Sequence, residues 1–89
     1  MPRLSSFYGI IIWMYHDETH HRGRPHFHAT YGDDEASIEI DTLNLLAGEL
    51  PPRARRLVVE WAREHRGELR ENWERARRHE PLRPIKPLR

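Results

Sequence analysis

The stretch His26-Phe-His-Ala-Thr-Tyr31, then Gly32-Asp33-Asp34, then Glu35-Ala-Ser-Ile-Glu-Ile-Asp41, constrains the fold more than any other. Both flanks alternate. His26, His28 and Thr30 share one side, and Phe27, Ala29 and Tyr31 the other; Ala36, Ile38 and Ile40 alternate with Glu35, Ser37, Glu39 and Asp41. Successive side chains of a strand point to opposite faces, so these flanks read as two half-buried strands of a hairpin. Gly and Asp supply suitable turn chemistry between them. With the apolar faces together, two registers remain. A two-residue Gly32-Asp33 loop sets His26 opposite Glu39 and His28 opposite Ser37. A four-residue loop, Gly32 to Glu35, sets His26 opposite Asp41 and His28 opposite Glu39. A one-residue slip buries the charges and is disfavoured.

Either register brings a His-x-His pair beside a carboxylate on the outer sheet face, with opposed Cβ atoms about 4.5–5.5 Å apart. A neighbouring carboxylate raises a histidine's pKa, which makes a usable acid/base pair. The same side chains suit a divalent metal, with His26, His28 and Glu39 or Asp41 as ligands. The plain alternative is the polar outer face of an exposed antiparallel sheet. His16, His20 and His21 fall in the polar stretch 16–24 and read as loop decoration.

Residues 7–15 read as a strand apolar on both faces. Phe7, Ile11, Trp13 and Tyr15 form one side and Tyr8, Ile10, Ile12 and Met14 the other. Such a strand is central or covered on both sides. Residues 43–50 read as an irregular connection with room for a short further strand. Pro51-Pro52 opens a helix. Ala54, Leu57, Val58, Trp61, Ala62 and His65 recur at helical spacing. Gly67 is the natural stop, and a second helix spans Glu68 to His79 with Leu69, Trp73 and Ala76 inward. Trp61 and Trp73 are core residues, His65 a packed or capping residue, and His79 a helix-end residue, where a cation is favoured. The tail EPLRPIKPLR cannot be helical with its three prolines; Leu82, Ile85 and Leu88 would pin it. The expected class is α+β: an antiparallel three- to four-stranded sheet followed by two amphipathic helices packed on one face, in the order β-β-β-(β)-α-α. Residues 1–89 form a single domain, with a sheet half (1–50), two helices (51–79) and an extended tail (80–89).

The charge is divided unevenly. Residues 1–48 hold three Arg against seven Asp/Glu, and residues 49–89 hold twelve Lys/Arg against seven. Fourteen of the fifteen basic residues are Arg, whose planar fork suits planar anions; a GC-rich genome yields the same bias. Arg53, Arg55 and Arg56 cluster on the first helix and Arg75, Arg77 and Arg78 on the second. Such patches attract phosphate backbones or acidic partners. Glu60, Glu64, Glu68, Glu71 and Glu74 offer the ordinary alternative of salt-bridged, solvated helix faces. With 89 residues and no cysteine, the core must be economical or be completed by a partner, including a second copy. The longest apolar run, Gly9 to Tyr15, is too short to span a bilayer. No signal-peptide pattern opens the chain. Cytoplasmic residence, away from membranes, is the expectation.

The segments MPRLSSFYGIIIWMY, RPHFHATYGDDEASIEI, GELPPRARRLVVEWAREHRGEL, ENWERA and EPLRPIKPL together resemble the bacterial domain-of-unknown-function family 4160 (DUF4160). The resemblance covers nearly the whole chain, and PHFHA-x-YG followed by ENWE is its most specific part. It implies a small stand-alone bacterial protein encoded beside a small protein of domain-of-unknown-function family 2442 (DUF2442), and hence a two-gene toxin–antitoxin unit. The matching positions are Pro25, His26, Phe27, His28, Tyr31 and Gly32; no catalytic role travels with them. The segment HDETHHRGR is longer and richer in histidine than the turn the family leads one to expect there. The expected function is the toxin component of such a module, binding RNA or cleaving it as a metal-independent ribonuclease. Cleavage would use His26 and His28 as base and acid, Arg24 as the cation for the phosphorane and Glu39 to orient a histidine. Arg53, Arg55 and Arg56 would hold phosphates and Tyr31 would stack on a base. The partner would be the DUF2442-type antitoxin. A non-enzymatic protein-binding module and a small metal-binding protein are the alternatives.

Overall fold

The hairpin around Gly32 takes the shorter loop. In the computed structural model, which describes residues 3–15 and 24–89, β3 (His26–Tyr31) pairs with β4 (Asp34–Glu39) so that His26 faces Glu39 and His28 faces Ser37. Before it run β1 (Arg3–Phe7) and β2 (Ile10–Trp13); after it come β5 (Leu45–Gly48), α1 (Pro52–Glu64) and α2 (Arg66–Arg77). The five strands form one antiparallel sheet in sequence order.

The class is the expected α+β, with five strands where three or four are expected. The single strand expected over 7–15 is split. Tyr8 (φ 51°) and Gly9 (φ 82°) form a two-residue turn, and two positive φ values are what a tight primed hairpin turn requires. The split puts Phe7 opposite Ile10, on the same face, where unbroken alternation grouped it with Ile11. β2 is an interior strand, paired on both edges, and Ile10 and Ile12 are buried. The irregular connection does contain a strand, β5, which ends at Gly48 (φ 75°), where any Cβ would overlap the Glu35 carbonyl oxygen.

Ile10, Ile12, Phe27, Ala29, Ala36 and Ile38 form the core with Val58, Trp61 and Ala62 of α1. The buried Trp61 ring lies 5.5 Å from Phe7 and 6.0 Å from Phe27 between centroids. The break between the helices falls at His65, not at Gly67, which sits inside α2. His65 Nδ1–H donates to Glu68 Oε1 at 2.6 Å and its ring lies 5.5 Å from Trp61. A capping, packed histidine thus ends one helix and starts the next, so α2 begins and ends two residues earlier than the glycine led one to expect. Past α2, His79 (φ 57°) holds the position usually given to glycine. His79 N–H donates to the Ala76 carbonyl at 3.1 Å and Glu80 N–H to the Arg75 carbonyl at 2.8 Å, the two bonds of a Schellman motif.

The proline-rich tail is held at several points. Ile85 N–H donates to the Leu4 carbonyl on β1, and Trp61 Nε1–H donates to the Lys86 carbonyl, both at 2.8 Å. The buried Asn72 of α2 exchanges bonds of 2.8 and 2.9 Å with the backbone of Arg83. Ile85 and Leu88 are buried beneath it. Among the described residues, no helix is long and apolar enough to cross a membrane.

Candidate functional site

Alternation places His26 and His28 on the sheet face away from Trp61, with Trp13 on one side of His28 and Ser37 on the other. The face is not the open one expected: His26 is 1% exposed and His28 7%. Aromatic rings stand where solvent was expected. Tyr15 lies 4.4 Å from His28, Trp73 of α2 lies 5.1 Å from His26, and the two imidazoles are 5.2 Å apart. His26 Nδ1–H donates to the Arg24 carbonyl at 2.7 Å; a carbonyl only accepts, so that nitrogen carries the proton. His28 Nδ1 lies 3.2 Å from Ser37 Oγ and 3.5 Å from Glu35 Oε2.

One histidine therefore does meet a carboxylate of the adjacent strand, but the carboxylate is Glu35 and not Glu39. Glu35 is diagonal to His28 in the register, a separation a long side chain can bridge. Glu39, directly opposite His26, accepts instead from the Thr42 hydroxyl at 3.2 Å. Arg24 is exposed and meets His26 through its backbone. Among the described residues, no three His, Cys, Asp or Glu side chains converge as metal ligands, so the expected trio His26, His28 and Glu39 does not assemble. His16, His20 and His21 lie outside the described residues.

The two arginine clusters end differently. Arg75 reaches Glu71 at 3.3 Å, Arg77 reaches Glu74 at 3.2 Å and Arg78 reaches Glu80 at 3.0 Å. The Arg78–Glu80 hydrogen bond raises the arginine's pKa above its usual value and holds the glutamate below the usual carboxylate range. That helix face is the salt-bridged one. Arg53, Arg55 and Arg56 are exposed, and among the described residues none of them forms an ion pair. No acidic residue stands in the first turn of α1. Cations there oppose the helix dipole, at about 0.3–1 kcal/mol each at an exposed site. Arg55, Arg56 and Arg63 continue along a depression of about 410 Å³ on the outer face of the helix.

At the start of that helix the structure brings Tyr31 and Arg53 together, with a residue that alternation had assigned to a strand face. Tyr8, Tyr31 and Arg53 line a small hollow of about 60 Å³ against Pro51. Among the described residues Tyr8 (56%) and Tyr31 (39%) are the exposed large hydrophobic side chains. Tyr31 does lie on the apolar face, but at the very end of β3, where α1 begins rather than crosses. A Cβ on Gly9 would come 3.3 Å from the Tyr31 ring, so the bare glycine lets that ring rest on the turn. Tyr8 adopts a left-handed conformation that costs a non-glycine residue about 1–2 kcal/mol. The sequence carries no turn signal for Tyr8 beyond the glycine that follows it, since tyrosine is itself a good strand former.

The family model described as "Domain of unknown function (DUF4160)" matches residues 9–74. No curated protein and no solved structure matches the chain.

Proposed function

The chain belongs to the family described as a domain of unknown function, DUF4160, and from that premise, which assigns no activity, we propose that it binds RNA as the toxin component of a two-protein toxin–antitoxin module. The observation that carries the proposal is the hollow at the start of α1 where Arg53, which has no ion pair among the described residues, meets the exposed Tyr8 and Tyr31, with Arg55 and Arg56 further along the helix. Binding RNA takes cations that displace counterions from phosphates and flat apolar rings on which bases stack. Arg53, Arg55 and Arg56 supply the first and Tyr31 the second. The burial of His26 and His28 favours binding over cleavage, since neither imidazole presents an open edge to a phosphate. Toxicity then arises from sequestering RNA in the cytoplasm. The small DUF2442-type neighbour that the resemblance implies is the partner that relieves it.

Titrating a labelled RNA over a range of salt concentrations tests the binding half. Each phosphate contact on a single strand adds about 0.7 to the slope of log affinity against log salt. Replacing Arg53, Arg55 and Arg56 together by Gln should lower that slope by about 2; an unchanged slope removes the site from α1. Induced expression in bacteria tests the other half. Growth arrest relieved by co-expressing the neighbour is expected, and unimpeded growth sinks the toxin assignment.

A further inference from the structure

We infer that the hollow formed by Tyr8, Tyr31 and Arg53 is a stacking subsite for unpaired bases, which makes the protein selective for single-stranded over duplex RNA; the inference rests on the RNA-binding reading above. Among the described residues, these tyrosines are the large apolar side chains the fold leaves in solvent. Tyr8 occupies the first position of a tight turn at φ 51°, where asparagine or glycine fits better. Burial does not compensate for that conformation, because the side chain is 56% exposed. Its ring is therefore held out of the core by the backbone. The neighbouring turn residue, Gly9, has no Cβ to fend off the Tyr31 ring, which lies against the turn and keeps 39% of its surface open.

The chemistry of the lining selects the occupant. Among the described residues no carboxylate lines the hollow, its one charged residue is Arg53, and Arg53 has no ion pair. Further along α1, Arg55, Arg56 and Arg63 outnumber Glu60 around the next depression and leave it net positive. A flat apolar group next to an anion, on a chain that continues as a polyanion, is a nucleotide within a strand. At about 60 Å³ the hollow is worth about two water volumes and is too small to enclose a base. A base must lie over the rings rather than enter a fitted pocket, so recognition is tolerant of sequence. It does require the base to be unstacked, because bases within an A-form duplex already occupy both of their faces.

Affinity of the full chain is measured for a mixed-sequence, fluorescein-labelled 12-nucleotide RNA and for the same RNA in a duplex. The single strand should bind at least tenfold tighter. Tyr8→Asn removes the ring and supplies a better turn residue, so it should hold or raise the melting temperature while weakening single-strand binding about five- to a hundredfold. Tyr31→Ala should weaken it similarly, and Tyr8→Phe and Tyr31→Phe should retain wild-type affinity. Duplex binding should be indifferent to all four variants. If both RNA forms bind equally, or Tyr8→Asn and Tyr31→Ala bind as tightly as the parent, the subsite is overturned while the arginine-dependent binding stands. If neither form binds the parent chain, the RNA-binding reading falls with it.

Discussion

Helices α1 and α2 are alike in what they bury. Each turns a tryptophan inward, Trp61 and Trp73, and each holds the tail by a side-chain bond to its backbone. Their outer faces carry the same residue type to opposite ends. On α2 and just past it, Arg75, Arg77 and Arg78 each sit within 3.3 Å of a glutamate. On α1, Arg53, Arg55 and Arg56 have no such partner among the described residues. Spacing and order account for the difference. Glu71 precedes Arg75 by four residues, the favourable order, whereas Glu60 follows Arg56 by four, the poorer one, and nothing acidic precedes Arg53 within the helix. The comparison teaches that arginine content says little about a surface; the positions of its acids decide whether the charge is spent inside the fold or remains for an outside anion.

The largest expected effect tests the shared inner faces. Trp61→Ala should cost about 3–5 kcal/mol of stability by urea unfolding, the usual loss for truncating a buried large aromatic. Trp73→Ala should fall in the same range, and an unchanged midpoint for either would show that the two helices are not anchored alike. Next, Asn72→Ala should cost about 1–3 kcal/mol, because it leaves backbone groups of Arg83 without their partner. Limited proteolysis should then cut within residues 80–89, and a tail as resistant as the parent's would place its anchorage elsewhere.

The outer faces are compared by two triple substitutions to Gln. Changing Arg53, Arg55 and Arg56 should weaken RNA binding roughly ten- to hundredfold at low salt and leave the melting temperature level or slightly raised. Changing Arg75, Arg77 and Arg78 should leave RNA affinity alone and lower the melting temperature only slightly, because exposed ion pairs contribute little. Equal losses of affinity from the two sets would erase the distinction. The smallest effect is that of Glu80→Gln. Arg78 holds the Glu80 carboxyl below the usual range, so the pair contributes above the unfolded carboxyl's pKa and its contribution disappears as pH falls through the folded value. The melting temperature of the parent should drop slightly more than that of the variant between pH 7 and pH 3. Added salt should narrow the gap, since about half of each side chain is in solvent.

Much of the frame was legible. Period two located β3 and β4 and reduced their pairing to two registers, one of which the structure adopts. Period 3.6 and the proline pair located the start of α1 to within a residue, though not its end. The misreadings share a cause. Tyr8-Gly9 reads as strand because tyrosine is a good strand former, and only the backbone reveals that the chain turns there. Gly67 looked like a stop because glycine often is one, while the helix break went to His65, which Trp61 and Glu68 hold in place.

The candidate site divides along the same line. Alternation alone dictated that His26 and His28 share a face and that a carboxylate of the next strand lies near one of them, because side-chain direction along a strand is a local property. Which carboxylate, and whether the face is wet, depended on what packs there. Glu35 reaches His28 diagonally, and Tyr15 and Trp73, distant in sequence from one or both histidines, cover them. Tyr31 was assigned by the same alternation to the core side, which is correct as a direction and wrong as a burial, since α1 starts level with it and leaves it uncovered. Periodicity specifies where a side chain points; only the tertiary packing decides what it meets, because burial belongs to the neighbours a residue acquires and not to the residue.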